Sequence, residues 1–241
     1  PGSVLTTEAG LACLGDAGRN LPAGFLDAAR TEMASLERQT GKRFGGGDDP
    51  LLVSVRSGSA MSMPGMMDTI LNLGLNETTL AALIRHTGNE RFGYDAWRRF
   101  IQLFGKVALG VPDALFDEQF EVVKSRVGVK QDVMLGADEL REIGSRFLQV
   151  VQRHTGQPFP ADPYEQLEIA IKAVFNSWMG KRAIDYRREF KITPAMASGT
   201  AVNVVTMVFG NMGNDSATGV GFTRNPATGE NQLYGEFLTN A

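Results

Sequence analysis

The sequence predicts an α+β fold in which a long helical segment interrupts a β-sheet. Strand-like stretches lie towards both ends of the chain, and the residues between them carry apolar side chains at helical spacing. The chain has 241 residues, 43% of them apolar, and is long enough to bury a sizeable core. We therefore predict a first α/β part (1–75), an inserted helical part (76–191) and a β-rich part (192–241).

The first part is predicted to hold two helices and a buried strand. A short helix through Leu14 precedes a longer one from about Pro22, which ends before Gly41. The apolar face of the longer helix comprises Phe25, Leu26, Ala29, Met33 and Leu36. After a glycine-rich loop, the uncharged run LLVSV (51–55) predicts a buried strand.

The helical part shows three apolar stripes, which predict core packing rather than cofactor contacts. Their members are Tyr94, Trp97, Ile101, Phe104 and Ala108; Leu140, Ile143, Phe147, Val150 and Val151; and Leu167, Ala170, Ile171, Val174 and Trp178. Asp162 and Pro163 provide an N-cap and a first-turn proline for the third helix. From about residue 197, TAVNVVTMVFG, TGVGFTRNP and NQLYGEFLTNA predict strands, with NPATGE as a turn.

Composition excludes several classes of protein. Cys13 is the only cysteine, so the chain forms no internal disulfide, and with two histidines a zinc cluster is not expected. His86 is predicted to follow a helix start and His154 to lie in a C-terminal helix turn. Neither has a triad partner, so neither is expected to be catalytic. A net charge of −3 and the lack of a long apolar run argue against nucleic acid and membrane partners. We expect a cytoplasmic protein.

The segment RSGSAMSMPGMMDT (56–69) is the first candidate site. Arg56 follows the predicted strand and offers a forked, permanently charged donor. The small residues that follow, including Gly58 and Gly65, let backbone N–H groups approach an anion, which suits an oligophosphate. The segment is not a Walker A loop, because GxxxxGK[ST] does not occur in the sequence. An ordinary surface loop is the alternative interpretation.

Each of three further features allows a functional interpretation and an ordinary structural one. The strand ending at Phe209 could offer backbone groups to a purine, with Met207 or Val208 against its face, or could be a simple core strand. The basic helix at 181–191 could dock an acidic partner or be a solvated face. One or two carboxylates among Asp68, Glu230 and Glu236 could approach magnesium; the sequence leaves the metal ligands unknown.

Long runs of the sequence resemble the nucleotide-binding domain of the pyruvate, phosphate dikinase family. These runs are LLVSVRSGSAMSMPGMMDTILNLGLN, NERFGYDAWRRFIQLFG, KAVFNSWMGKRAIDYRR, GTAVNVVTMVFGN and GVGFTRNPATGENQLYGEFLTNA. The resemblance implies a partial ATP-grasp-like fold and a reaction of ATP, phosphate and pyruvate giving AMP, pyrophosphate and phosphoenolpyruvate. It also implies Mg²⁺ with ATP in the complete domain and a homo-oligomeric full-length protein. A histidine on a swivelling domain of the same full-length chain would carry the phosphoryl group to a pyruvate-binding domain.

Residue by residue, the resemblance makes Arg56 the phosphate-contacting arginine. The covering loop would run from Gly58 to Gly65 and include Ser59, Ser62 and Met63. Adenine would lie against Val205, Thr206, Met207 and Val208. Ala60 stands where the family often has an arginine.

Three family motifs do not occur in the sequence: the GGKG-type, QGED and TSHAA-type segments. The resemblance therefore implies a fragment truncated at both ends, with no catalytic residue, no tightly bound cofactor and no activity alone. The alternatives are the ATP module of a phosphoenolpyruvate synthase-like protein or antibiotic phosphotransferase, and, in another class, a non-catalytic interaction module.

Overall fold

The computed structural model describes residues 1–15 and 20–241. Its strands are β1 (Gly2–Leu5), β2 (Arg43–Phe44), β3 (Pro50–Leu51), β4 (Val53–Gly58), β5 (Thr69–Leu73), β6 (Ala201–Thr206), β7 (Ala217–Phe222) and β8 (Tyr234–Thr239). Its helices are α1 (Thr7–Gly15), α2 (Phe25–Thr40), α3 (Glu77–Thr87), α4 (Glu90–Ala108), α5 (Asp113–Val127), α6 (Ala137–Thr155), α7 (Pro163–Ser177) and α8 (Lys181–Glu189). A 3-10 turn spans Asp132–Met134.

The main sheet has the strand order β1-β6-β4-β5, and every neighbouring pair is antiparallel. Strands from both ends of the chain therefore meet in one sheet, with the helices α3 to α8 between them in sequence. This arrangement confirms the predicted α+β class. β2 and β3 form a separate short parallel pair, and β7 and β8 form a separate antiparallel hairpin.

One face of the main sheet is covered by helices. Val53 and Val55 in β4, Ile70 in β5 and Val202 in β6 are fully buried there. Helices α4 and α7 pack against this face. The buried strand predicted at 51–55 is thus confirmed, since its inward side chains join the main core.

The other face, which we call the open face, carries Val4, Arg56, Asn203 and Val205. Alternation along the strands and the register between them bring these residues to one side of the sheet. Val4 is 63% exposed and Val205 is 36% exposed. Because these side chains are only partly covered, the open face is where a ligand could lie against the sheet.

The helical segment packs its apolar stripes into the main core as predicted, except that Trp178 lies just beyond α7 in a separate apolar cluster. Phe100, Phe104 and Phe159 pack with edge-to-face geometry, and α6 packs against α4. The predicted N-cap of α7 is confirmed, because the Asp162 carboxylate accepts hydrogen bonds from the backbone N–H groups of Tyr164 and Glu165. No helix among residues 1–15 and 20–241 is both long and apolar enough to cross a membrane.

Helix α2 confirms most of its predicted pattern. It ends at a left-handed Gly41 (φ 69°), which is the stop that the sequence indicates. Met33 and Leu36 are buried, but Leu26 is 39% exposed. The prediction that Leu26 joins the apolar face was therefore wrong; Phe25, beside it in the first turn, packs against the core instead.

Gln166 connects α7 to the end of β5. It is fully buried, its side-chain oxygen accepts from the Gly74 N–H, and its amide donates to the carbonyls of Leu75 and Pro160. A buried amide is stable only when such partners are present. These bonds fix the helical segment to the strand that follows the candidate loop.

Candidate functional site

Arg56 lies in β4, on the open face, two residues before the strand ends. Across the sheet it is paired with Thr69 of β5 and Asn203 of β6. The side chain is exposed, whereas its neighbours Val55 and Ser54 are buried. The sheet thus presents a permanently positive group to solvent from a rigid strand.

A chain of hydrogen bonds connects Arg56 to the predicted adenine strand. The Arg56 Nε–H donates to the Ser54 hydroxyl (3.1 Å), and that hydroxyl donates to the Val205 carbonyl (3.4 Å). The terminal guanidinium nitrogens form no ion pair or hydrogen bond with the residues that the structure describes. The guanidinium is therefore held on one side and keeps its forked end available for an anion.

The first half of the loop is fixed to the segment before β6. The Gly58 N–H donates to the Thr200 hydroxyl (3.1 Å), and the Ser59 hydroxyl donates to the Gly199 carbonyl (3.3 Å). A Cβ atom on Gly58 would lie 2.6 Å from the Asn203 side-chain nitrogen. Glycine at this position thus leaves room for the Asn203 amide beside Arg56.

The second half of the loop is a tight turn. The Met66 N–H donates to the Met63 carbonyl (3.1 Å), with Pro64 second in the turn and Gly65 third at φ 72°. This sequence and the positive φ are typical of a type II turn. Ser62 and Gly65 are exposed, but the Met63 side chain is only 5% exposed. Met63 therefore faces the protein interior rather than the solvent.

The predicted adenine segment divides between the two sides of the sheet. Val205 lies on the open face, whereas Thr206 is paired with Val53 and its hydroxyl is buried without a hydrogen-bond partner. The backbone N–H groups of Thr206 and Met207 donate to Pro1 and Leu52. Val208 lies beyond the end of β6 and is 89% exposed.

The carboxylates suggested for magnesium are not brought together. Asp68 forms an ion pair with Arg182 (2.8 Å), while Glu230 and Glu236 lie in the exposed turn and strand of the hairpin. In the described part of the chain, no three His, Cys, Asp or Glu side chains are grouped so that they could hold a metal ion.

The basic helix α8 is partly neutralised by its own acidic residue. Asp185 forms ion pairs with Lys181 and Arg188. The hydrogen bond from Lys181 holds the pKa of Asp185 below its usual range. His154 lies in the last turn of α6, where the sequence predicts it. His86 also lies in a last turn, that of α3, so the prediction that it follows a helix start was wrong.

Three residues of the site are not among those predicted from the sequence: Ser54, Thr200 and Asn203. The alternation of side chains along a strand offered a signal for one of them, because residues i and i+2 share a face and Ser54 is thereby next to Arg56. Thr200 and Asn203 required the register between β4 and β6, which local sequence does not encode.

The open face presents an arginine beside a loop of small residues, an arrangement whose chemistry suits an anion. A model of the family described as "Pyruvate phosphate dikinase, AMP/ATP-binding domain" matches residues 21–236. The chain therefore belongs to this family.

Several relatives match the whole chain. It is 58% identical over 240 residues to a pyruvate, phosphate dikinase of Entamoeba histolytica, and 50% identical over 241 residues to one of Rhizobium meliloti. It is 51% identical over 243 residues to pyruvate, phosphate dikinase 1, chloroplastic, of Oryza sativa subsp. japonica. The alignments cover 27%, 26% and 25% of these relatives, so the chain spans about a quarter of their length.

Proposed function

We propose that this chain forms part of the ATP-binding domain of a pyruvate, phosphate dikinase with an ATP-grasp-like fold. The complete enzyme converts ATP, phosphate and pyruvate to AMP, pyrophosphate and phosphoenolpyruvate. A histidine on another domain of the same protein is phosphorylated at the nucleotide site and passes the phosphoryl group to pyruvate on a third domain. The family membership and the high identity to several dikinases support this proposal.

The observation that carries the proposal is the connection of Arg56 to Val205 through Ser54. The resemblance assigns Arg56 to the phosphates and the segment Val205 to Val208 to adenine. A hydrogen-bonded pathway from Arg56 to Val205, which lie on the same face of the sheet, supports their action on a single ligand. If the segment were an ordinary surface loop beside a core strand, this hydrogen-bonded connection would not be required.

In this proposal, the chain contributes positioning and charge rather than a reacting group. The Arg56 guanidinium binds phosphate oxygens, and exposed backbone groups at Ser62 and Gly65 cover them. Such preorganised donors are a large part of catalysis in phosphoryl transfer. Magnesium arrives with ATP, and no step is assigned to a metal held by the residues described above.

We further propose that the 241-residue chain has no turnover by itself and binds MgATP weakly or not at all. The GGKG-type, QGED and TSHAA-type motifs would complete the site in a longer protein. A cytoplasmic location and a homo-oligomeric full-length protein also stay predictions, and some relatives are named chloroplastic. Net pyrophosphate formation by the isolated chain would contradict the proposed inactivity.

The proposal is tested by Arg56→Ala in the full-length protein that carries this chain. Because the variant removes a charged clamp, kcat/KM for ATP should fall about 100-fold or more. Arg56→Lys should recover part of the loss, since lysine keeps the charge but lacks the fork. Arg38→Ala, at an exposed site in α2, is the matched control. Equal kcat/KM values for Arg56→Ala and Arg38→Ala would reject the proposal.

Two alternatives give different results. A phosphoenolpyruvate synthase-like enzyme uses water where the dikinase uses phosphate, so independence of activity from added phosphate would favour it. For a non-catalytic interaction module, charge reversal at Arg182 and Arg187 would abolish association, and Arg56→Ala would have no effect. Arg182 is already paired with Asp68, and Arg187 lies over the Trp178 ring, so both have partners within the chain, which favours the dikinase.

A further inference from the structure

The candidate loop is attached to the end of the helical segment as well as to the sheet. The Met63 side chain lies in a small apolar cluster with Trp178 and Ala197, separate from the main core. Each of the three is about 5 or 6% exposed. Nothing in the phosphate chemistry of the loop requires a buried methionine, so the contact calls for another explanation.

Polar contacts attach the same turn to the same place. The Asp68 N–H donates to the Ser177 hydroxyl (3.3 Å), which in turn donates to the Val174 carbonyl (2.7 Å). Arg182 donates to the Asp68 carboxylate (2.8 Å) and to the Gly65 carbonyl (3.4 Å). The loop is therefore fixed at both of its ends.

Trp178 is itself held in place. The guanidinium of Arg187 lies 3.9 Å from the centre of the Trp178 ring, and the same side chain donates to the Trp178 carbonyl (2.8 Å). A cation over an aromatic face restricts the ring and covers its outer side. The surface that receives Met63 is thus preformed by α7 and α8.

We propose that Trp178 and Ser177 are positioning residues for the nucleotide site: Trp178 holds the phosphate loop through the Met63 side chain, and Ser177 holds it through the Asp68 N–H. A loop ordered in advance does not lose its conformational freedom when ATP binds, so binding is tighter. In this proposal Trp178 and Ser177 do not touch the nucleotide; they act through the segment from Met63 to Asp68. This inference rests on the proposed function.

The test compares Met63→Ala with two reference variants in the full-length protein. Met63→Ala should raise KM for ATP about tenfold and accelerate hydrogen exchange of the amides of residues 59–68. Exchange of label between pyruvate and phosphoenolpyruvate, which needs only the phosphohistidine and pyruvate domains, should not change. Met63→Leu, which refills the apolar cluster, should recover most of the loss. Met33→Ala, in the main core, should lower stability and leave KM for ATP as in the parent.

The possible outcomes separate the two proposals. If Arg56→Ala raises KM for ATP and Met63→Ala behaves like Met33→Ala, the positioning role is wrong and the proposed function stands. If Arg56→Ala has no effect on the ATP reaction, the proposed function fails and the positioning role fails with it. Should Met63→Ala not fold, Ser177→Ala tests the same role, because it removes the hydroxyl that accepts from the Asp68 N–H and leaves the apolar cluster intact; a KM for ATP equal to that of Met33→Ala would then reject it.

Discussion

The helical segment and the β7–β8 hairpin differ in the burial of their aromatic side chains. Phe104 in α4 is fully buried, whereas Phe237 in β8 is 75% exposed. Every residue of β7 and β8 is exposed. An isolated two-stranded hairpin has little stability of its own. The stability of this chain should therefore reside in the helices and the main sheet, and the hairpin should contribute little.

The largest expected effect comes from a matched pair of phenylalanine substitutions. Phe104→Ala opens a cavity in the aromatic cluster and should lower the free energy of unfolding by about 3–5 kcal/mol. Phe237→Ala should change it by less than about 0.5 kcal/mol. Urea denaturation of both variants, followed by circular dichroism, measures the difference. Similar losses would mean that the hairpin packs as firmly as the helices.

An intermediate loss of stability is expected at Asn89, where the helical segment contacts the residues before the β7–β8 hairpin. Asn89 caps α4 by accepting from the Phe92 N–H (3.0 Å), and its amide donates to the Met212 carbonyl (2.9 Å), shortly before the hairpin. Asn89→Ala should cost about 1–2 kcal/mol, mostly through the lost cap.

Asn89→Ser separates the two roles of this side chain. Serine keeps a capping oxygen, so the global cost should be less than about 0.5 kcal/mol. Its shorter side chain loses the contact with Met212, and hydrogen exchange of residues 212–216 should become faster. Unchanged exchange in both variants would show that the helical segment does not order the approach to the hairpin.

The smallest effect is electrostatic and depends on pH. The hydrogen bonds from Arg126 and then Arg146 hold the pKa of Glu142 below its usual range. The folded state therefore favours the charged carboxylate. This stabilisation is present above the ordinary pKa of about 4.3 and is lost as the pH falls through the lower folded pKa.

Glu142→Gln should reduce stability at neutral pH by less than about 1 kcal/mol, since Arg126 is 54% exposed. The difference between wild type and variant should shrink as the pH is lowered from 7 to 3 in thermal denaturation. A difference that is constant with pH would assign the effect to packing rather than charge.

The helices could be predicted well because their signals are local. Gly41 ends α2 in the left-handed conformation, and Asp162 caps α7, both at the positions that the sequence indicates. By contrast, β1 and β5 were not predicted. In β5 the register shifts opposite Val53 and Val55, and Asn72 adopts φ 61°, so the regular alternation of a strand is broken.

The candidate site could be predicted only in part. Arg56 and the small residues after it carry a chemical signal, and the structure gives them an exposed, rigid setting. The burial of Met63 could not be predicted, because its partners Trp178 and Ala197 lie more than a hundred residues further along the chain. The division at residues 75 and 191 and the nucleotide contacts stay predictions.

The position of β6 has a consequence for folding kinetics. β6 lies between β1 and β4, so the four-stranded sheet cannot be completed until residues 201–206 have been synthesised. Most contacts of the helices are nearer in sequence and can form earlier. Before β6 pairs with them, β1 and β4 each have an unpaired strand edge, and such edges can pair with other chains. We therefore expect slow renaturation, with a yield that falls as protein concentration rises.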